Sequence, residues 1–135
     1  MNDASSDAEL VAAARAVRAH ARAPYSRFQV GSAVRAGSGA IYAGCNVESA
    51  AYPLTCCAER VAIYNAVAAG ETLITRVAVA TSTASSPCGG CRQVIFELGP
   101  DAVVLVAGLE GGWRDVSIRT LLPEGFDGRE LPQQG

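Results

Sequence analysis

Cys88-Gly89-Gly90-Cys91 places two thiols three residues apart, just after Ser86-Pro87, where a helical pattern begins. Residues at i and i+3 share a helix face. At a helix's first turn, unpaired backbone N–H groups and the positive end of the macrodipole favour sulfur as thiolate. Such a pair suits metal ligation or dithiol redox chemistry, and alone it does not choose between them; the second Cys-x-x-Cys of a zinc ribbon is missing. Cys57 opens another helical pattern, and Glu59 follows two positions later. Positions i and i+2 do not face the same way, so thiol and carboxylate reach a common point only if it lies just off the helix N-terminus. Cys88 and Cys91 need the same location relative to their own helix. The spacing therefore suggests two helix N-termini facing one zinc ion, held by Cys57, Cys88 and Cys91. One coordination position stays open, which is the catalytic rather than the structural arrangement.

Each residue also has an ordinary reading. Cys57 alone is a small buried apolar side chain, and Glu59 alone is a first-turn acid favoured by the helix dipole. It is their combination with Pro87-Cys88-Gly-Gly-Cys91 that makes those readings improbable. Cys45 ends a strand pattern and Cys56 adjoins Cys57; both read as packing cysteines. His20, the only histidine, sits among arginines in the first helix and reads as solvated, which leaves sulfur as the sole ligand type. Arg60, next to Glu59, is expected behind the sulfurs, offsetting their negative charge.

The elements that must position these groups follow from periodicity. Leu10, Val11, Ala14, Val17 and Ala21 recur at helical spacing, so a helix is predicted from about Ala8 to Ala23, capped by Asp7 and stopped by Pro24. Strands are predicted at Phe28 to Val34, Ile41 to Val47, Arg76 to Ala80, Ala102 to Ala107 and Trp113 to Ser117. The second and third helices run from Cys57 to Ala69 and from Cys88 to Leu98, ended by Gly70 and by Gly99-Pro100. Ile118 to Leu122 reads as a helical turn, and residues after Phe126 as a loose tail. This order gives an α/β sandwich with helices on both faces of one sheet.

The chain has 135 residues, enough for one domain with one core. Half of them are hydrophobic and 18% are charged, so a packed interior is expected. A net charge of −2 offers no footprint for a phosphate backbone, which argues against binding nucleic acid. Neither a secretory signal nor an apolar run of the roughly 20 residues that cross a bilayer is evident. A cytoplasmic protein with reduced thiols is expected, and five cysteines, an odd number, point to metal or catalysis rather than disulfides.

Cys57-Ala58-Glu59 followed by Pro87-Cys88-Gly89-Gly90-Cys91 resembles the three-cysteine form of the zinc nucleobase deaminase signature. Pro24-Tyr-Ser-Arg-Phe-Gln-Val-Gly-Ser-Ala33, Gly44-Cys-Asn-Val-Glu-Ser-Ala-Ala-Tyr52 and Cys91-Arg-Gln-Val-Ile-Phe-Glu97 are similar to the small homotetrameric cytidine deaminases. The likeness runs from the first helix to Leu122-Pro-Glu-Gly-Phe126, nearly the whole chain. It implies a three-layer α/β/α sandwich around a mixed five-stranded sheet, with one deaminase domain over residues 1–126 and a tail over 127–135. It implies Zn2+ as cofactor, Glu59 as proton shuttle, and Phe28 packed against the pyrimidine. Asn46 and Glu48 would hydrogen-bond the ribose hydroxyls, and the Ala58 backbone would contact the base. Tyr52 and Phe126 would lie where neighbouring subunits of a homotetramer meet the active site. The implied activity is hydrolysis of cytidine or deoxycytidine to uridine or deoxyuridine with loss of ammonia, a pyrimidine salvage reaction.

Pro53 and Cys56 stand where better-known members commonly carry glycine and asparagine, and Ser49 replaces a common asparagine. These departures bear on which nucleoside is preferred, not on the deamination chemistry. Three other functions stand beside this one: deamination of a related amino-heterocycle or a blasticidin-type nucleoside analogue, a non-catalytic zinc-binding structural role, and polynucleotide editing. Asn46 and Glu48 favour a ribose-bearing ligand, Glu59 argues against a purely structural zinc, and the acidic charge balance disfavours editing.

Overall fold

In the computed structural model, which describes residues 4–132, one five-stranded sheet has the order β2-β1-β3-β4-β5. The strands are β1 (Gly31–Ala36), β2 (Ile41–Cys45), β3 (Ile74–Ala80), β4 (Val103–Ala107) and β5 (Trp113–Ser117). β1 pairs antiparallel with β2 and β3, β3 runs parallel to β4, and β4 pairs antiparallel with β5. The helices are α1 (Ala4–Val17), α2 (Ala58–Ala68), α3 (Gly89–Leu98) and the single turn α4 (Ile118–Leu121). The parallel pair needs a crossover, and α3 supplies it.

Side chains alternate along each strand, and this splits the core in two. Ala33, Ala78, Ala80, Leu105 and Ala107 meet Leu10, Val11 and Ala14 of α1 on one face. On the other, Val34, Val77, Val79, Val104 and Val106 meet Ala62, Ile63 and Ala66 of α2, Ile95 and Phe96 of α3, and Ile118 of α4. This is the expected three-layer sandwich around a mixed sheet. Burial of each such valine or isoleucine contributes about 1.5–3 kcal/mol. The alanine-rich face lets α1 lie close, and glycines bring two contacts closer still. A Cβ on Gly31 would sit 1.9 Å from the Ala14 carbonyl oxygen, and one on Gly44 would sit 2.4 Å from the Ala62 nitrogen. α1 and α2 thus rest directly on strand backbone.

The first helix is the main correction. It begins at Ala4 rather than near Ala8, ends at Val17, and continues only as a 3-10 turn over Arg18–His20. Asp7 does not cap it. Instead the buried Asp7 carboxylate takes a two-pronged ion pair from Arg76 of β3, at 2.6 Å from Nε and 2.9 Å from Nη2. The chain leaves the helix early because Arg22 is drawn into backbone pairing, donating to the Asn46 carbonyl and accepting from Glu48 N–H. β1 is also displaced, starting at Gly31 instead of Phe28 and running on to Ala36. β2 stops at Cys45, and beyond it Val47 makes only isolated bridges to Arg22 and Cys56. Between Ser49 and Thr55 the chain forms a 3-10 turn at Tyr52–Leu54. After Phe126 another such turn forms at Gly128–Glu130, with Asp127 accepting from Arg129 N–H. Residues 133–135 of the expected tail lie outside the described residues.

The close contact at Gly44 makes a prediction. Gly44→Ala drives a methyl into α2 backbone, where overpacking costs about 1–3 kcal/mol or more. Urea denaturation of the variant should show a lowered midpoint; a midpoint equal to the parent's would mean that α2 can recede from β2 without cost.

Candidate active site

Cys57 is the residue at the N-cap of α2 and Cys88 holds the same place on α3. N-caps are normally Ser, Thr, Asp or Asn, whose side chains bind the first-turn N–H groups. Here both caps have extended backbone and neither side chain makes a capping hydrogen bond. The thiols are therefore uncommitted to their own helices and point at the space between them. Cys91, one turn into α3, is fully buried, Cys57 is half-buried and Cys88 is exposed.

The three Sγ atoms lie within 4.8 Å of one another, and the Cys57 and Cys88 sulfurs are 3.8 Å apart. Three thiolates bound to a tetrahedral zinc at about 2.3 Å stand roughly 3.8 Å from each other. The donor set fits zinc in type, in number and nearly in spacing. Among the described residues this is the one group of three or more His, Cys, Asp or Glu side chains placed to hold a metal ion. Cys56 is not in it; its backbone is tied to Val47 in both directions, and burial pushes its thiol pKa up. Cys45 and the exposed His20 also stand apart from the cluster.

Arg60 follows from the helix. Its Nη2 donates to Cys57 Sγ at 3.4 Å. Hydrogen bonding within the cluster holds the Cys57 thiol down at about 5, first through Cys91 and then through Arg60 and Cys88. The Cys91 thiol moves the opposite way, raised by its hydrogen bond to Cys57 and by burial. Contact with the sulfurs raises the Arg60 pKa further, so the guanidinium stays charged.

Glu59, in the first turn of α2, is only 4% exposed. Burial pushes its carboxyl up to about 7, where it can hold or release a proton near neutrality. Glu59, Cys57, Cys88 and Ala58 line a cavity of about 280 Å³, room for one small molecule. Phe28, Asn46 and Glu48 line it too. Asn46 is 7% exposed; its Oδ1 accepts from Val30 N–H at 2.9 Å and its Nδ2 donates to the Phe28 carbonyl at 2.8 Å. The Glu48 carboxylate accepts from the Tyr25 and Ser26 N–H groups, each at 3.0 Å, and from the Ser26 hydroxyl. The Ser26 hydroxyl and N–H hold the Glu48 pKa below the usual carboxylate range.

Two expected site residues are not part of this cavity. Tyr52 is 72% exposed and packs edge-on against Tyr25, with ring centroids 6.4 Å apart. Phe126 is 52% exposed, its backbone bound in both directions by the Gln93 side-chain amide. Sequence reasoning missed Ser26 as the support of Glu48, and missed Thr81, Ser85 and Ser86 in the cavity wall. Ser26 lies inside the quoted Pro24–Ala33 run, but nothing in its spacing distinguished it from a turn serine.

Fold and site together are those of a metal-dependent enzyme built on an α/β/α sandwich. Residues 4–107 match the family model described as "Cytidine and deoxycytidylate deaminase zinc-binding region". A cytidine deaminase of Sporosarcina psychrophila is 40% identical over 126 residues, covering 91% of this chain and 93% of the relative. The crystal structure of cytidine deaminase from Burkholderia pseudomallei superposes with a TM-score of 0.84 at 44% identity, covering 88% of this chain and 98% of that one. That of Mycobacterium tuberculosis gives 0.77 at 34%, over 88% and 95%. The chain belongs to the zinc-dependent cytidine and deoxycytidylate deaminase family.

Because metal binding and folding are coupled where ligands converge from separate helices, Cys88→Ala should lose both zinc and thermal stability. Elemental analysis beside a melting curve checks this; full zinc content in the variant would remove Cys88 from the ligand set.

Proposed function

We propose that the chain hydrolyses cytidine and deoxycytidine to uridine and deoxyuridine, releasing ammonia. The observation that carries this is Glu59: a nearly buried carboxylate at the wall of a small cavity, two residues from a cysteine of the metal cluster. A structural zinc site has no use for such a group. Cys57, Cys88 and Cys91 hold zinc. Bound zinc supplies the acidity that makes water a nucleophile near neutral pH. As the water oxygen bonds to C4, Glu59 accepts its first proton and passes it to N3 of the pyrimidine; it then takes the second proton from that oxygen and carries it to the amino nitrogen. The oxygen stays on C4 as the new carbonyl while the C4–N bond breaks and ammonia leaves.

The rest of the cavity orients the substrate. Phe28 offers a ring for the pyrimidine to pack against, and Ala58 main chain lies beside the metal cluster to meet the base edge. Glu48 keeps acceptor capacity after its three bonds, and Asn46 retains one N–H and a lone pair. Sugar hydroxyls complete both. Arg60 draws charge from the sulfurs and so restores acidity that three thiolates would otherwise remove from the metal.

The functional unit is a homotetramer. Tyr52 and Phe126 are large, exposed and outside their own chain's cavity, and Tyr64 and Val67 of α2 are each 48% exposed. Packing against neighbouring copies would bury these side chains and bring Tyr52 and Phe126 to adjoining active sites. No helix among the described residues is long and apolar enough to cross a membrane; the reduced thiols of the metal cluster suit a cytoplasmic setting.

Glu59→Gln should retain zinc and tetramer while losing the proton transfers, which typically contribute ~10²–10⁴-fold. Zinc per chain and cytidine turnover are measured on the same preparation. Retained zinc with parental turnover would mean another group moves the protons.

Asn46→Ala and Glu48→Ala should each lower kcat/KM for cytidine by roughly 10- to 100-fold, the equivalent of about 1–3 kcal/mol for a buried polar contact. Parental efficiency in both would end the sugar-binding assignment.

A further inference from the structure

Cys88 is the exposed member of the cluster. Cys91 is fixed by burial inside α3 and Cys57 by the packing of α2, but Cys88 follows an irregular segment from Thr81 to Pro87. Within that segment the Thr81 hydroxyl accepts from Ser85 N–H at 2.9 Å, and its last two residues before Cys88 are held by a side chain from α3. Arg92, in the first turns of α3, folds back over its own helix N-terminus. Its Nε donates to the Pro87 carbonyl at 2.7 Å and its Nη2 to the Ser86 hydroxyl at 2.9 Å. Its Nη1 donates to the Leu121 carbonyl in α4 at 3.1 Å. Its backbone N–H binds the Cys88 carbonyl at 2.9 Å, the first helical bond of α3.

All three guanidinium nitrogens are thereby used, on acceptors from two separate segments. A planar guanidinium presents donors in a fixed fork, which an ammonium cannot do. The placement is also unfavourable as helix design, since a cation near a helix N-terminus opposes the macrodipole. A helix-stabilising role does not explain it. Anchoring the residues just before Cys88 does.

We propose that Arg92 is a positioning residue of the metal centre: it locks Ser86-Pro87 onto α4, fixes where Cys88 presents its sulfur, and so sets how firmly the chain holds zinc. The inference rests on the assignment of Cys88 as a ligand. Outer contacts of this kind typically govern about 10- to 100-fold in metal affinity.

The test compares the parent tetramer with Arg92→Lys, Ser86→Ala, their double variant and Cys88→Ala. Zinc Kd is measured by competition with a chromophoric chelator, and melting temperature is measured for zinc-loaded and zinc-free protein. Arg92→Lys should raise the Kd by about 10- to 100-fold, and Ser86→Ala by roughly 2- to 10-fold, as for one hydrogen bond. The double variant should be no weaker than Arg92→Lys alone, because both act through one contact. The gap between loaded and zinc-free melting temperatures should narrow in step with the Kd. An unchanged Kd in Arg92→Lys overturns the proposal, as does an equal fall of both melting temperatures, which is the mark of a purely structural arginine. Should Arg92→Lys fail to fold, Ser86→Ala decides alone: weaker zinc supports the proposal and a parental Kd overturns it. Cys88→Ala separates the two levels. Parental zinc affinity there would sink the ligand assignment itself, whereas lost zinc beside an unaffected Arg92→Lys sinks only the positioning role.

Discussion

Bringing several potential anions to one partly buried point is electrostatically costly, and most of this fold answers that requirement. Three thiols and a carboxylate lie together at the facing N-termini of α2 and α3. Helix N-termini favour negative charge through their free N–H groups and dipoles, so the two helices must point at the same place. α2 is set by its direct seat on β2 at Gly44, where no side chain separates helix from strand. α3 is set by the β3–β4 crossover, which returns the chain across the sheet face shared with α2. The rest of the sheet gives these two helices a common floor.

How much of this was legible in the sequence depends on whether local or distant contacts decide the conformation. The Cys57 and Cys88 helices and the β5 strand at Trp113–Ser117 were read within a residue or so of their bounds, since their caps, stops and periodicity are all local. The first helix was misread because its signals are answered elsewhere. Asp7 resembles a cap but is claimed by Arg76, 69 positions away, and the apparent helix beyond Val17 is unwound by backbone pairing of Arg22 with Asn46 and Glu48. Phe28 to Val30 alternates like a strand, but Asn46 takes its Phe28 carbonyl and Val30 N–H by side chain. A pattern that extends a strand on paper cannot show which partner takes its hydrogen bonds.

The same distinction runs through the site. Cys57, Cys88 and Cys91 were recoverable because metal ligation imposes spacing along the chain, and Glu59 because it follows Cys57 in the same first helical turn. Ser26 was not, because its role depends on Glu48, 22 residues on, and on a loop whose turn places Arg27 in the left-handed region at φ 59°. That conformation is uncommon for a residue with a Cβ. It coincides with the turn that aims two successive N–H groups, of Tyr25 and Ser26, at one carboxylate oxygen of Glu48.

The cluster's own charge explains why an arginine accompanies it. Zinc with three thiolates carries a net negative charge, and electron-rich sulfur makes the metal a weaker acid than imidazole ligands would. Dipoles at two helix ends offset part of this. Arg60 offsets more, and it does so at the half-buried Cys57 rather than at the exposed Cys88, where solvent already screens the sulfur. A lysine there would be open to losing its proton on burial. The guanidinium instead keeps its charge, strengthened by the thiolate it touches. Glu59 lies on the opposite balance, lifted toward neutrality by burial and by the negative Cys57 beside it, with Arg60 pulling only weakly the other way. One residue step along α2 thus separates a permanently charged group from a carboxyl able to give and take a proton.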